Sequence, residues 1–193
     1  IEIGYQHDRP LTLDGETLTP VELVSRLNEL GGTYGVGRID PIEDRLVGIK
    51  SREVYEAPAG VILHTAHRGL ETMTLSKQQI KLKKYIAQEY AELIYNGLWF
   101  SAHHQDIAAY VASTQRHVSG TIRLRLQRGT ATVVGRKADE SLYDRGLATY
   151  DSGDTYDQTA AVGFINIWGL QTRTQARRQP LSELPQALKI AMP

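Results

Sequence analysis

The sequence predicts an α+β fold, in which an antiparallel or mixed sheet is accompanied by grouped helices and followed by a C-terminal tail. Residues 1–13 and 121–134 alternate apolar and polar side chains as strands do, whereas residues 58–118 repeat apolar residues at helical spacing. Strands and helices that are grouped, and do not alternate, are typical of α+β domains. A chain of 193 residues is also long enough to bury one full core.

The first elements are expected to be two short strands and one capped helix. Alternation within residues 1–13 indicates strands that turn near Asp8-Arg9-Pro10, with a second turn at Asp14-Gly15. Residues 19–22 have the Thr-Pro-Val-Glu pattern of a capping box, in which the threonine and glutamate side chains each bond a backbone N–H of the first turn. Gly31-Gly32 is expected to end this helix.

The middle of the chain is expected to be mainly helical. Leu46–Ile49 is a short apolar run of strand type, and helices are expected at about 58–73, 76–95 and 103–118. The second of these helices carries an apolar stripe that we expect to be buried, at Leu82, Ile86, Tyr90, Leu93 and Ile94.

The clearest β-hairpin in the sequence follows these helices. It spans residues 121–134, and its turn lies at Arg128-Gly129. Strict alternation places Ile122, Leu124 and Leu126 on one face, with Arg123 and Arg125 on the other. A further helix is expected at 156–170.

The composition argues against some classes of partner. The chain has 22 basic and 22 acidic residues, so no overall field attracts nucleic acid or a membrane surface. It has no cysteine, which excludes disulfides and thiolate metal sites. No apolar run approaches the roughly 18 residues that a membrane span needs. These features favour a soluble, cytoplasmic protein that binds neither nucleic acid nor membranes.

The histidines and the basic runs are expected to have structural roles. His64 and His67 could share a helix face, and His103-His104 lie at a helix start, yet no His-Glu-x-x-His pattern accompanies them. Packing or surface roles are therefore favoured, and no metal site is expected. The basic runs at 81–84 and 123–128 lack interleaved aromatic residues, so exposed helix or sheet faces are favoured over an RNA surface.

Residues 35–58 are the most informative stretch of the chain. They contain nine charged residues and have two glycines at their entrance, Gly35 and Gly37. So many charges are costly to fold unless they pair with each other or with a ligand. Two interpretations stay open: an ion network that fixes the loop, or a binding site. On spacing alone, the favoured interpretation of Glu43 and Tyr55 is a surface acid and a half-buried core tyrosine.

Several motifs, in a fixed order, resemble the argininosuccinate synthase family. They are the 35–58 segment, Gly-Leu-Trp-Phe at 97–100, Val-Val-Gly-Arg-Lys at 133–137, Ser-Leu-Tyr at 141–143 and Gly-Phe-Ile-Asn-Ile-Trp-Gly-Leu at 163–170. The resemblance extends from Ile1 to about Arg177.

The resemblance implies a function for the charged segment. Members of this family are ligases of arginine biosynthesis that join L-citrulline to L-aspartate with ATP and Mg²⁺, through a citrulline adenylate, releasing AMP and pyrophosphate. The matching residues that would bind citrulline are Glu43 and Tyr55. From the charge cluster itself we expect Arg52 or Arg38 to place these two side chains or to face another subunit. No residue of this chain is expected to act as a catalytic acid, base or nucleophile. The family also implies a homotetramer.

The family's nucleotide-binding domain has no counterpart in this sequence. Its Ser-Gly-Gly-Leu-Asp-Thr-Ser loop is missing, and the glycines at 31–37 lack the lysine and hydroxyl residues of a phosphate loop. We therefore expect ATP and Mg²⁺ to be held mainly by an N-terminal domain outside this chain, and the chain alone to be inactive. A non-catalytic binding or assembly module is the alternative. Residues 1–170 are expected to form the citrulline-binding domain, and residues 171–193 an oligomerisation tail.

Overall fold

Residues 1–143 fold around one antiparallel sheet of five strands. The computed structural model describes residues 1–147 and 157–179, and the chain divides into two units, residues 1–143 and 144–193. The described strands, in chain order, are β1 (Glu2–Gln6), β2 (Arg9–Leu13), β3 (Glu16–Thr17), β4 (Arg38–Ile39), β5 (Ile42–Asp44), β6 (Lys50–Arg52), β7 (Tyr55–Glu56), β8 (Gly120–Gln127) and β9 (Thr130–Ala138). The sheet has the order β3-β2-β1-β8-β9.

Four described helices belong to the first unit with this sheet, and two more belong to the second unit. The described helices are α1 (Pro20–Thr33), α2 (Pro58–Thr74), α3 (Lys77–Tyr95), α4 (Ala102–Thr114), α5 (Ala160–Trp168) and α6 (Leu170–Arg178), with one 3₁₀ turn at Gln115–His117. The α+β class predicted from the sequence is confirmed. No described helix is long and apolar enough to cross a membrane.

The core of the first unit lies where α1 and α2 pack on the sheet. Ile3 on β1 stands opposite Ile122 on β8, so a strand from each end of this unit meets at the centre of the sheet. The largest fully buried side chains come from both strands and helices: Ile3, Leu23, Leu27, Ile62, Leu70, Ile122 and Leu124. Each side chain of this kind contributes about 1.5–3 kcal/mol when it is removed from water.

The predicted hairpin is confirmed as β8 and β9. Ile122 and Leu124 are buried and Leu126 packs against the core, while Arg123 and Arg125 are exposed on the opposite face. Arg128 and Gly129 both have positive φ, which is the backbone conformation that reverses the chain there.

Helix α1 begins as the sequence predicts but ends later. Thr19 accepts a hydrogen bond from the N–H of Glu22, and the Glu22 carboxylate accepts one from the N–H of Thr19, so the capping box is confirmed. The predicted end at Gly31-Gly32 is wrong, because the helix continues to Thr33. Gly31 instead allows close packing of α1 on α2, since a Cβ there would lie 2.6 Å from the Cβ of Pro58.

The predicted buried stripe on α3 is wrong. Of its five residues only Leu93 is buried, and Leu82 is 49% exposed. Periodicity reports that a helix has an apolar face, but it does not report whether another element covers that face. Part of the contact of α3 with α2 is polar, because Lys83 pairs with the buried Glu71 at 2.8 Å. Helix α4 is also shorter than expected, and the 3₁₀ turn replaces its last residues.

The second unit is described at residues 144–147 and 157–179. The helix expected at 156–170 is observed as α5, and a further helix, α6, follows directly after Gly169. Phe164 and Trp168 stack on one side of α5 with ring centroids 5.5 Å apart, and both are exposed. Residues 180–193 of the expected oligomerisation tail lie outside the described residues. The domain boundary expected at 170/171 stays a prediction.

Candidate functional site

The charged segment folds back on itself as two successive antiparallel ladders. At its base, β4 pairs with β7, with Ile39 opposite Tyr55. Further out, β5 pairs with β6, with Glu43 opposite Ser51. We call the part from residue 40 to 54 the outer hairpin.

The turn of the outer hairpin corrects one sequence prediction. Leu46–Ile49, expected to be a strand, forms the turn between β5 and β6. Gly48 has a φ of 81°, and the N–H of Arg45 donates to the carbonyl of Ile49 at 2.8 Å, which closes the turn. An apolar run therefore became a turn because its glycine adopts the left-handed conformation that other residues rarely occupy.

Glu43 and Tyr55 are brought together by this folding. The hydroxyl of Tyr55 donates a hydrogen bond to Oε1 of Glu43 at 2.9 Å. The Glu43 carboxylate raises the pKa of the Tyr55 phenol, chiefly through this hydrogen bond. Tyr55 is 44% exposed, so the pair is open to a ligand. The arrangement offers a carboxylate that accepts hydrogen bonds beside a phenol oxygen that also accepts, which suits a ligand rich in N–H groups.

Ser51 adds an unsatisfied polar group beside this pair. It stands opposite Glu43 in the β5–β6 ladder, and its hydroxyl oxygen is buried without a hydrogen-bond partner among the described residues. Buried polar groups are normally paired with protein, water or ligand. The unpaired hydroxyl therefore lies next to Glu43, but its oxygen is enclosed and does not itself face a ligand.

The remaining charges of the segment pair with each other. Arg52 donates to both carboxylate oxygens of Asp40, at 2.8 and 2.7 Å, and this lowers the pKa of Asp40. Arg38 pairs with Glu56 at 3.2 Å. Two further pairs lie along the outer hairpin, Arg45 with Glu53 and Lys50 with Asp44. The ion network considered from the sequence is thus present, and the hydrogen bonds of Arg38 and Arg52 go to Glu56 and Asp40.

Sequence reasoning missed one residue at this site, Tyr95. Its hydroxyl, at the end of α3, donates to the backbone carbonyl of Asp44 at 2.8 Å. The two residues are 51 positions apart, and no spacing pattern connects them. An exposed tyrosine at the end of a helix gives no signal of its own.

The histidines pack against neighbouring side chains. His67 contacts Gln115 at 3.0 Å, His103 contacts Glu89 at 2.9 Å, and His104 contacts Tyr90 at 3.1 Å. Within residues 1–147 and 157–179, no group of three or more histidine, aspartate or glutamate side chains is placed to hold a metal ion.

A groove adjoins the base of the charged segment but does not contain the Glu43–Tyr55 pair. It has a volume of about 630 Å³ and runs between α2 and β9. Ile39 and Ala57 line its end near the segment, and Arg68 and Arg136 lie along it. The candidate site is therefore the exposed Glu43–Tyr55 pair and not this groove.

Comparison with known proteins identifies the relatives of this chain. A family profile described as the arginosuccinate synthase C-terminal domain matches residues 1–175. Argininosuccinate synthase from Dehalococcoides mccartyi is 52% identical over 95% of this chain and 45% of its own length. The enzymes of the same name from Rubrobacter xylanophilus and Listeria monocytogenes are 51% and 53% identical, over 96% and 91% of this chain and 46% and 44% of their own lengths.

These matches give the class of protein and the family to which this chain is related. The matched relatives are ligases, and the matching profile is that of their C-terminal domain. The chain belongs to the argininosuccinate synthase family. It spans about 45% of the length of the curated relatives that it matches.

Proposed function

We propose that this chain supplies the citrulline-binding part of an argininosuccinate synthase. The observation that carries the proposal is the hydrogen bond between Tyr55 and Glu43, the two residues that the family resemblance assigns to citrulline. Citrulline carries an ammonium group and a ureido group rich in N–H donors. A fixed carboxylate beside a phenol oxygen accepts from such groups, and charge-assisted bonds of this kind are the stronger ones.

In this proposal the chain binds and orients its substrate and transfers no proton. ATP activates the citrulline ureido oxygen to give a citrulline adenylate and pyrophosphate, and the amine of L-aspartate then displaces AMP to form argininosuccinate. The role of Glu43 and Tyr55 is to hold citrulline so that its ureido carbon stays within attack distance of the amine. Restricting the reactants in this way supplies much of the rate in two-substrate reactions.

The Tyr55 phenol is suited to stay protonated in this role. Glu43 raises the pKa of the phenol above the ordinary tyrosine value of about 10, so the phenol keeps its proton near neutral pH. It can then donate to Glu43 and still accept from the substrate through its lone pairs. The carboxylate in turn is oriented by the bond that it accepts.

ATP, Mg²⁺ and aspartate are proposed to bind mainly to another part of the complete synthase. The described residues of this chain hold no cluster of acidic or histidine side chains that would bind Mg²⁺, so no step through the metal is assigned to them. A homotetramer in the cytoplasm, with residues 181–193 reaching a neighbouring subunit, completes the proposal.

A chimera tests this function. The matching C-terminal part of the Dehalococcoides mccartyi synthase, 52% identical to this chain, would be replaced by the 193 residues. We expect argininosuccinate to form only when citrulline, aspartate and ATP are all present, with one AMP released per product. Glu43→Gln in the same chimera is the matched control for the site. A chimera that assembles like the parent, binds ATP and shows no response to citrulline would overturn the proposal.

Direct binding gives an independent test. Titration of the 193-residue chain with L-citrulline, followed by NMR, is expected to shift the signals of residues 42–56. L-Ornithine, which lacks the ureido group, serves as the comparison ligand. Shifts confined to other elements would contradict the assigned site, and equal shifts with both amino acids would show that the site does not select the ureido group.

A further inference from the structure

The outer hairpin has almost no core of its own. Its apolar side chains are exposed by 64% or more, and these are Ile42, Leu46, Val47, Ile49 and Val54. Because apolar burial is the main force that fixes an element in place, the position of this hairpin depends on its hydrogen bonds. The β4–β7 ladder holds it at its base.

One hydrogen bond ties the outer hairpin to the helices. The hydroxyl of Tyr95 donates to the carbonyl of Asp44, the residue next to Glu43 on β5. Among the described residues, this is the hydrogen bond that links residues 40–54 to an element outside the charged segment. Tyr95 also lies close enough to Tyr55 to contribute to its electrostatic environment.

The end of α3 that carries Tyr95 is itself well supported. Leu93, two residues earlier, is buried. Tyr90 on α3 bonds His104 on α4 at 3.1 Å, and the ring of Trp99 lies 4.2 Å from the ring of His104. Glu89 and His103 form a second link between the two helices, at 2.9 Å. Tyr95 therefore links α3, which several contacts hold against α4, to strand β5 of the outer hairpin, whose apolar side chains are exposed.

We infer that Tyr95 is a positioning residue for citrulline. By donating to the carbonyl of Asp44, its hydroxyl fixes the position of β5. It therefore also fixes where the Glu43 carboxylate meets the Tyr55 hydroxyl. Tyr95 does not contact the substrate in this account. The inference rests on the proposed function, because the effect on citrulline passes through Glu43.

The substitution Tyr95→Phe removes only the hydroxyl and keeps the ring. Tyr85→Phe is the matched control, because Tyr85 lies on the same helix and its side chain is exposed. Hydrogen–deuterium exchange of the 193-residue chain without ligand is the first readout. We expect Tyr95→Phe to speed exchange in residues 42–52 and Tyr85→Phe to leave it unchanged. Equal exchange in both variants and the parent would overturn the inference.

Citrulline affinity is the second readout, and it separates this inference from the proposed function. Losing one hydrogen bond typically weakens an equilibrium by roughly 3- to 10-fold, and we expect Tyr95→Phe to raise the citrulline Kd by that factor. On a Glu43→Gln background the same change should have little further effect, because the group that Tyr95 positions is already altered.

The outcomes fall into distinct cases. If Glu43→Gln leaves citrulline binding unchanged, the proposed function fails, and the exchange data still decide whether Tyr95 anchors β5. If Glu43→Gln weakens binding but Tyr95→Phe does not, the proposed function stands and the role of Tyr95 is refuted. Additive losses in the double variant would also refute it, because they would show that Tyr95 acts independently of Glu43.

Discussion

The hydroxyl of Tyr55 donates to the Glu43 carboxylate at 2.9 Å, although the two residues belong to different small ladders of the charged segment. Glu43 lies on the outer ladder and Tyr55 on the inner one. The turn at Leu46–Ile49 and the return along β6 bring them to the same place. The site therefore depends on the geometry of the whole segment.

Glu43→Gln should raise the citrulline KM of the chimeric synthase by about 10- to 100-fold, because a hydrogen bond to a charged group contributes about 1.5–3 kcal/mol. Glutamine keeps the shape of the side chain and removes its charge. The KM for ATP should stay the same, since ATP is proposed to bind elsewhere. Steady-state kinetics with each substrate varied in turn would check this. Equal increases for citrulline and ATP would count against the assigned role.

The pKa of Tyr55 provides a test that needs no substrate. Glu43 raises this pKa, so Glu43→Gln should lower it toward the ordinary value of a tyrosine, about 10. NMR titration of chains labelled at the tyrosine ring carbons would follow it, with Tyr55→Phe identifying the signal. The Tyr55 resonance should titrate at lower pH in the Glu43→Gln variant. An identical titration in both proteins would show that the hydrogen bond does not form in solution.

Gly37 is expected to be needed for the entrance of the charged segment. It has a φ of 89°, and a Cβ there would lie 2.5 Å from the backbone nitrogen of Pro58 at the start of α2. Gly15 has a similar φ of 85°, but a Cβ at that position would have no neighbouring atom within 4 Å. Both Gly→Ala changes strain the backbone, and only Gly37→Ala also forces a clash.

We therefore expect Gly37→Ala to lower the free energy of unfolding by about 1–3 kcal/mol more than Gly15→Ala does, which is the usual cost of overpacking. Urea unfolding of the two variants and the parent would measure the difference. Equal losses would indicate that the backbone relaxes around Gly37 and that its contact with α2 is not restrictive.

His67 should make the stability of the chain depend on pH. Burial lowers the pKa of His67, although the Glu71 carboxylate acts to raise it. In the folded chain this histidine therefore stays neutral at pH values at which it is protonated in the unfolded chain. The contribution of neutral His67 to the free energy of unfolding is complete above the ordinary histidine pKa of about 6.5. It is lost as the pH falls below that value. The ring also bonds Gln115 at 3.0 Å.

Unfolding by urea at about pH 8 and about pH 5.5, on either side of the ordinary histidine pKa, would check this prediction. The parent should lose more stability between these two values than His67→Gln, whose amide can still donate to Gln115 but does not titrate. His64→Gln is the matched control, because His64 is on the same helix and is exposed. A loss of stability in His67→Gln equal to that of the parent would contradict the prediction.

The sequence predicted the parts of the fold that local patterns determine. Alternation predicted β8 and β9, and the Thr19–Glu22 capping box predicted where α1 begins. The predictions from the sequence failed where contacts with other elements, or the conformation of a single glycine, decide the structure. Leu82 is exposed although it lies on an apolar stripe, because no described element covers that part of α3. Leu46–Ile49 is a turn because Gly48 adopts a positive φ, which an apolar pattern does not reveal.

The candidate site was predictable only in part, and the prediction came from the family resemblance and not from local sequence patterns. Spacing alone left Glu43 and Tyr55 as ordinary residues, and the family resemblance was what connected them. The contact of Tyr95 with Asp44 had no sequence signal, because it joins the end of a helix to a backbone carbonyl 51 residues away. Contacts of this kind depend on how α3 and the outer hairpin lie in the fold.

A crystal structure of the chimeric synthase with L-citrulline would test the central claim most directly. The account predicts that nitrogen atoms of citrulline lie within about 3 Å of the Glu43 carboxylate and the Tyr55 hydroxyl, which is the distance of a hydrogen bond. Citrulline bound elsewhere, with the Glu43–Tyr55 pair left in contact only with solvent, would contradict it.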